Sequence, residues 1–353
     1  MGMIYMASMK AALYTDIREI QIQDVDYKPP EPGYLTLNTR CTGICGSDLH
    51  NYFGEWKPDL DVAAGHEVCG TVAEIGAGVT GFQIGDLVTM ECFSHCGVCL
   101  YCRKGLYNHC LERKWFAHGS HGGFAEYTTV HVSTLYPLPD DMTFEEGTLV
   151  EPLAVAHRAL AQSGATYQDR VAIIGGGTIG QLCLAVAKAI GVKETLITVK
   201  YPHQARLAND LGADHIIDIT QDDVPDSVQD LNSGSGMDVV IETIGGSRAF
   251  NEATTIVRKR GTVVLVAGYF EDLEVNLSRI VWSEAIITGS NCYGFSHMQT
   301  DFQAAIDLII AGRIPFTKLV THRYPLEDIK EAFRIAADKS SGAVKVHVVQ
   351  DEH

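Results

Sequence analysis

Four cysteines lie within one short stretch, Cys96-Gly-Val-Cys99-Leu-Tyr-Cys102 followed by Cys110. The spacing C-x2-C-x2-C-x7-C lets four thiolates converge on one ion at roughly 2.3 Å, the closed tetrahedral shell that Zn²⁺ takes in structural sites. A closed shell has no open position, so this metal organises a lobe, from Glu91 to Leu111, and takes no part in chemistry. Free buried thiols or two disulfides are the alternative, and such tight clustering in a large ordinary chain argues against them. A second constellation is spread more widely: Cys45-Gly-Ser47-Asp-Leu-His50, then Gly65-His66-Glu67, then Glu151-Pro152. A thiolate, an imidazole and one or more carboxylates suit a zinc site that keeps a position for water or substrate. Each residue alone is ambiguous, since a lone Cys is often core filler and a lone His-Glu pair is often surface.

A third pattern is Gly175-Gly-Gly177-Thr178-Ile179-Gly180, directly after the apolar run Val171–Ile174 and opening a helical stretch. In that context Gly175 permits a tight turn, Gly177 lets backbone approach a pyrophosphate, and Gly180 allows close helix–strand packing. The helix start, through Thr178 and Ile179, presents amides and a partial positive charge to phosphates. These features indicate a dinucleotide, NAD or NADP. The acid that grips the ribose hydroxyls of NAD belongs about 20 residues on, where the chain reads Thr198-Val-Lys200-Tyr-Pro-His203. Lys200 and His203 are suited to a 2′-phosphate, which favours NADP. Two solvated surface residues with relaxed cofactor choice are the other reading.

The elements that must position these groups fall into two textures. Residues 9 to about 150 carry Gly, Pro and short β-branched runs, such as Val68–Ile75 and Leu87–Met90, as expected of an irregular, mostly antiparallel β-domain. From Leu149 onward strands and helices alternate. Helices are expected at 154–162 and 177–190, and strands at 171–174, 195–199, 238–242, 262–266 and 286–288. That alternation predicts an α/β fold with a parallel, doubly wound sheet. After about residue 295 the chain turns helical (301–311 and 326–337) and ends on an apolar strand, Ala343–Val349, that folds back onto the first domain. The expected division is therefore 1–153 with 295–353, and 154–294. Phe53, Trp56, Phe93 and Phe124 fall near the motifs and either line a substrate pocket or pack in the core. His157, in the helix after Glu151, reads as a satisfied helix residue.

Bulk properties narrow the function. A length of 353 residues exceeds what one core usually supports, which implies two domains. The net charge of −17 argues against nucleic acid and against anionic membrane surfaces. Ten cysteines are too few for a secreted disulfide scaffold and fit a reduced, cytoplasmic, metal-binding protein. The first residues have no basic region or long apolar run of a signal peptide, and position 6 is Met, against myristoylation. No stretch approaches the roughly 20 apolar residues of a membrane helix. The residues before Met9 read as a dispensable extension.

Taken in chain order, the motifs Gly43-Ile-Cys45-Gly-Ser47-Asp-Leu-His50, Gly65-His66-Glu67, the four-cysteine lobe, Gly122-Gly-Phe-Ala-Glu-Tyr127, Glu151-Pro-Leu153 and the glycine fingerprint resemble the zinc-containing alcohol dehydrogenases of the medium-chain dehydrogenase/reductase family. The resemblance spans Met9 to Val349 and is closest to the polyol (sorbitol) and threonine dehydrogenase branch. It implies a GroES-like, mostly-β catalytic domain beside a Rossmann domain. It also implies two zinc ions per chain, one catalytic and one structural. Cys45 and His66 match the first two catalytic ligands, Glu67 matches the carboxylate that binds the metal in the polyol branch, and Glu151 falls where that branch has a second carboxylate. Ser47 matches the hydroxyl that takes the substrate proton, and His50 a residue of the relay to solvent. Lys200 departs from the Asp of many relatives.

The implied activity is reversible hydride transfer between a secondary alcohol or polyol and NAD(P), leaning to NADP. Zinc as a Lewis acid brings an alcohol pKa from about 16 toward neutrality. A primary-alcohol or aldehyde reductase with the same metal site is the alternative. A non-catalytic dinucleotide-binding protein is disfavoured by the presence of Cys45, His66 and Ser47. The resemblance further implies a homodimer or homotetramer, built through the short apolar strand Ala285–Ser290 at a sheet edge, with Ile287 in the contact.

Overall fold

The computed structural model describes residues 8–116 and 121–351, so the proposed N-terminal extension lies largely outside it. Its contacts divide the chain into two units, residues 1–151 with 320–353, and residues 152–319.

The first unit begins with an antiparallel hairpin, Ser8–Asp16 against Glu19–Asp26. Its main sheet has seven strands. Tyr34–Gly43 lies at the centre, antiparallel to Glu67–Ile75 on one side and to Tyr127–His131 and Lys345–Val349 on the other. Leu87–Met90 and Leu135–Pro137 extend it antiparallel. Only Val320–Pro325 runs parallel to its neighbour, Lys345–Val349. Leu35, Leu37, Val68, Val72, Val88 and Met90 form one core. Tyr14, Phe124, Phe333 and Val348 belong to another. The returning chain is anchored by the helix Ile329–Ala337, which buries Ile329, Ala332, Phe333 and Ala336. That i, i+3, i+4, i+7 stripe is what a core-facing helix requires.

The second unit is a six-stranded parallel sheet in the order His215–Asp218, Glu194–Val199, Arg170–Ile174, Met237–Glu242, Val257–Leu265, Ile286–Gly289. The order reverses on either side of Arg170–Ile174, which is the switch point where such sheets bind ligands. Ile286–Gly289 does lie at an edge.

Three features differ from the sequence reading. The helix expected at 154–162 runs Phe144–Ser163, because Thr143 and Glu146 form a reciprocal cap: Glu146 N donates to Thr143 Oγ1 at 3.2 Å and Thr143 N to Glu146 Oε2 at 2.8 Å. The strand His215–Asp218 is added to the expected set. The segment 295–319 belongs with the second unit instead of the first. Its helix Asp301–Ile310 starts on a fully buried aspartate that accepts from Gly294 N at 2.7 Å and pairs with His157 at 2.8 Å and Arg158 at 3.6 Å. A buried carboxylate held by three partners fixes that helix where its partners are. His157 is thereby the satisfied helix residue expected of it.

Candidate metal and cofactor sites

The four lobe cysteines are free thiols that face one another. Their sulfur separations are 3.5 Å for Cys99–Cys102 and Cys96–Cys110, and 4.0 Å for Cys96–Cys102 and Cys99–Cys110. A tetrahedron with metal–sulfur bonds of ~2.3 Å has edges of about 3.8 Å, whereas a disulfide needs about 2.05 Å. The disulfide alternative is therefore excluded by geometry. Backbone amides already turn toward the sulfurs, Cys96 N to Cys110 at 3.3 Å and Cys99 N to Cys96 at 3.4 Å. Amides of Cys102 and Leu111 draw the Cys99 thiol down to about 6. The lobe leaves Val98, Leu100 and Leu111 exposed. Its apolar burial rests on Cys92, Phe93 and Tyr107.

The second cluster is built from two elements of the first unit. Cys45 caps the helix Gly46–Tyr52, where Asp48 accepts from Cys45 N at 2.9 Å. His66 and Glu67 sit at the start of the strand Glu67–Ile75. Gly65, at φ +90°, turns the chain into that strand beside Phe124. One donor atom each from Cys45, His66 and Glu67 lies within 4.8 Å of the other two. Burial works against an imidazolium at His66, yet Cys45, Asp48 and Glu151 raise its pKa well above the usual histidine value. The pocket is thus negative and favours a cation. A soft thiolate, a borderline imidazole and a hard carboxylate make a donor set that Zn²⁺ accepts.

The other site residues are placed less uniformly. Glu151 is buried, and burial pushes its carboxyl up to about 7 against the opposing effect of His66. Its oxygens are not part of the compact triad, although Cys92 bonds to it. Ser47 Oγ is buried with no hydrogen-bond partner, so its hydroxyl is available to an incoming group. His50 is turned to the Glu55 carboxylate and lies against Trp56, ring centroids 5.2 Å apart. Phe93 and Phe124 are fully buried core residues, while Trp56 is exposed.

The sequence reading missed Lys345. It is 2% exposed and its Nζ contacts Glu67 Oε1 at 2.6 Å and Ile44 O at 3.0 Å. No local signal marks it, since the strand Lys345–Val349 also carries His347.

In the second unit the glycine turn follows the strand Arg170–Ile174. Gly175 has φ +111°, which L side chains rarely adopt. A Cβ on Gly180 would lie 1.7 Å from Gly175 O, so this glycine brings the helix Thr178–Ile190 against the turn. Gly177 begins that helix with no side-chain cap and has no heavy atom within 4 Å of a Cβ position. Its openness is the space a pyrophosphate requires. Lys200 follows the adjacent strand Glu194–Val199. Its Nζ lies 5.6 Å from the Tyr201 ring, and His203 stacks on that ring at 5.6 Å and 15°. Gln204 Oε1 accepts from Lys200 N at 3.0 Å, closing the turn between the strand and the helix Pro202–Asp210 that carries His203.

Comparison with known proteins identifies the family. The family model for the alcohol dehydrogenase GroES-like domain matches residues 31–140, and that for zinc-binding dehydrogenase matches residues 178–311. Sorbitol dehydrogenase of Halalkalibacterium halodurans is 35% identical over 329 residues, covering 91% of this chain and 94% of the relative. The structure of 2R,3R-butanediol dehydrogenase from Bacillus subtilis superposes with TM-score 0.85 at 31% identity, over 98% of this chain and 100% of that one. A Sinorhizobium meliloti zinc-binding dehydrogenase bound to NADP gives TM-score 0.88 at 28% identity, with the same coverage. The chain belongs to the zinc-binding alcohol dehydrogenase family, in the branch of the sorbitol and threonine dehydrogenases. It is a zinc-dependent, NAD(P)-linked oxidoreductase with a GroES-like domain and a Rossmann domain.

Proposed function

We propose that the protein oxidises a secondary alcohol or polyol reversibly, with NADP as its preferred cofactor. The observation that carries this reading is the Cys45–His66–Glu67 triad in the same chain as the open glycine turn. A bound zinc ion would supply Lewis acidity to an alcohol oxygen, and the dinucleotide would accept the hydride. Cys45, His66 and a carboxylate, Glu67 or Glu151, are assigned to hold the catalytic ion. Cys96, Cys99, Cys102 and Cys110 are assigned to a second, structural ion.

The remaining roles belong to the chain itself. Ser47 Oγ, lacking an internal partner, takes the proton released by the substrate hydroxyl. His50, whose Nδ1 meets the Glu55 carboxylate, passes it to solvent. Gly175, Gly177 and Gly180, with the amides of Thr178 and Ile179, cradle the pyrophosphate. Lys200 and His203 contribute donors for a 2′-phosphate. Sorbitol and butanediol, the substrates in the names of two relatives, motivate the secondary-alcohol assignment.

The enzyme is assigned to the reducing cytoplasm, since all ten cysteines are free, and no described helix is long and apolar enough to cross a membrane. It is assigned to a homodimer or larger homo-oligomer through the Ile286–Gly289 edge. There the outward residue is Ile286, 59% exposed, and the preceding helix Leu277–Ser283 carries Trp282 at 83%. Ile287, expected in the contact, packs instead on the core of its own unit. Strand parity decides this: adjacent side chains point to opposite faces.

A panel of polyols, 2,3-butanediol, hydroxy-amino acids and primary alcohols, each with NAD⁺ and NADP⁺, tests the proposal. Secondary alcohols should exceed primary ones by at least about tenfold in kcat/KM. A preference for primary alcohols would favour the alternative reading, and no turnover with any substrate would defeat both.

A further inference from the structure

We propose that Glu242 and Tyr269 are positioning residues that form a latch, holding the loops after two neighbouring strands in the shape the cofactor meets. The inference rests on the glycine turn as the cofactor's cradle. Glu242 ends the strand Met237–Glu242, in register with Ile174, the last residue before that turn, and with Leu265 on its other side. It therefore stands at the switch point of the sheet, at the floor of the crevice where such sheets bind ligands. Its carboxylate is fully buried. Oε1 accepts from Ile244 N at 2.6 Å and Gly245 N at 2.8 Å, and Oε2 accepts from the Tyr269 hydroxyl. A buried carboxylate is costly without such donors, so it enforces the positions of all three.

The loops that supply these donors are packed on the cradle and on each other. Thr243 donates to Ile174 O from N at 3.1 Å and from Oγ1 at 2.9 Å. A Cβ on Gly175 would lie 2.6 Å from Thr243 Oγ1 and 2.8 Å from Ile244 Cγ1, so the loop 243–246 presses on the glycine turn. Gly245, at φ +87°, brings the second loop close: a Cβ there would lie 2.9 Å from Gly268 O. Beyond Tyr269, Asn251 Nδ2 donates to Glu274 O at 2.9 Å and its Oδ1 accepts from Asn276 N at 3.1 Å. Ser247 Oγ accepts from Glu274 N at 2.9 Å. These bonds fasten the far end of the segment 269–276 to the helix Gly246–Ile256, and Tyr269 fastens the near end to the sheet.

Preorganisation explains what such a latch does. A loop that must be ordered on binding reduces affinity, and the apparent affinity falls with the fraction of molecules whose loops are out of place. A latch closed beforehand keeps that fraction small. Burial, and then the Glu242 carboxylate, raise the Tyr269 pKa, which keeps its hydroxyl a donor. The strands Glu194–Val199 and Met237–Glu242 flank Arg170–Ile174, so the latch and Lys200 lie on opposite sides of the cradle strand. The latch therefore serves NAD⁺ and NADP⁺ alike.

The test compares wild type, Tyr269→Phe and Glu242→Gln by cofactor titration, steady-state kinetics and amide hydrogen exchange. Tyr269 lies half-buried in a loop, so losing its hydroxyl leaves the fold intact. Tyr269→Phe should weaken NAD⁺ and NADP⁺ equally, by about tenfold, the lower effect of removing a hydrogen bond to a charged group. It should raise KM for both without lowering kcat. Exchange in residues 267–276 should quicken in the cofactor-free protein and return to wild-type protection at saturating cofactor. Glu242→Gln should stay near wild type, since its amide oxygen still accepts from Ile244 N and Gly245 N while its NH₂ donates to the Tyr269 oxygen. Unchanged affinity or unchanged cofactor-free exchange in Tyr269→Phe would overturn the inference, as would an effect on one cofactor only or a fall in kcat with KM unchanged. So would a Glu242→Gln protein as impaired as Tyr269→Phe. Gly177→Ala separates the two claims: undiminished affinity there would refute the cradle itself, whereas failure of the Tyr269→Phe outcomes refutes the latch alone.

Discussion

Gly180→Ala sets two effects of known size against each other. In an ordinary helix interior the change stabilises by about 0.8–1 kcal/mol, since alanine loses less backbone freedom on folding. Here the new methyl would sit 1.7 Å from Gly175 O. Carbon–oxygen contact requires roughly 3.2 Å, so the helix Thr178–Ile190 or the turn must yield by more than an ångström. The obstacle is a backbone carbonyl, which cannot rotate aside. Overpacking of this kind costs about 1–3 kcal/mol, occasionally more. An overlap this deep with backbone puts the cost at the upper end of that range, so the clash should win, for a net loss of roughly 2 kcal/mol. For a domain of this size that is about 4–8 °C in Tm. Gly177→Ala is the control, because a methyl there meets nothing within 4 Å of the protein. Its stability loss should stay within about 1 kcal/mol, the price of a poorer N-cap, while cofactor binding falls more than tenfold through contact with the pyrophosphate. Thermal melts and cofactor titrations of both variants measure this. A Gly180→Ala protein as stable as wild type, or a Gly177→Ala protein with undiminished cofactor affinity, would refute the packing argument.

Cys99→Ser should release the structural ion and leave the lobe aggregation-prone, since such ions contribute on the order of 10 kcal/mol of local folding free energy. Metal analysis and light scattering check this, and a stable variant with full metal content would contradict it. Lys200→Ala should raise KM for NADP⁺ about ten- to a hundredfold, the equivalent of a charged hydrogen bond of roughly 1.5–3 kcal/mol, and change NAD⁺ little. Equal effects on both cofactors would show that Lys200 does not read the phosphate. Ile286→Lys should shift sedimentation toward monomer at micromolar concentration without lowering Tm of the separated species, whereas Ile287→Lys should destabilise the fold. A monomeric wild type would remove the basis for the comparison.

The groups most legible in the sequence were those whose partners are near in the chain. The four lobe cysteines and the glycine turn carry their geometry in their spacing, because a few residues of backbone limit where their atoms can go. Cys45, His66 and Glu67 were legible only as a constellation, and the sheet then brought their donors together. Lys345 was not legible. Its partner Glu67 is 278 positions away, and nothing local distinguishes a buried lysine in an apolar strand from one at a solvated edge. The boundary near 295 was misplaced for a related reason, since the fully buried Asp301 is anchored by His157 and Arg158 far upstream. Ile286 and Ile287 differ only in parity, which an apolar run leaves undefined until the strand's register is known.

The central claim is that Cys45, His66 and a buried carboxylate hold a catalytic zinc distinct from the ion in the cysteine lobe. Zinc content and alcohol-oxidising turnover of wild type and Cys45→Ser, measured on the same purified preparations, test it most directly. Wild type should contain two zinc ions per chain, and Cys45→Ser one, with an unchanged fold by circular dichroism, retained cofactor binding and almost no turnover. A Cys45→Ser protein that keeps both ions and turns over at the wild-type rate would show that the catalytic site lies elsewhere.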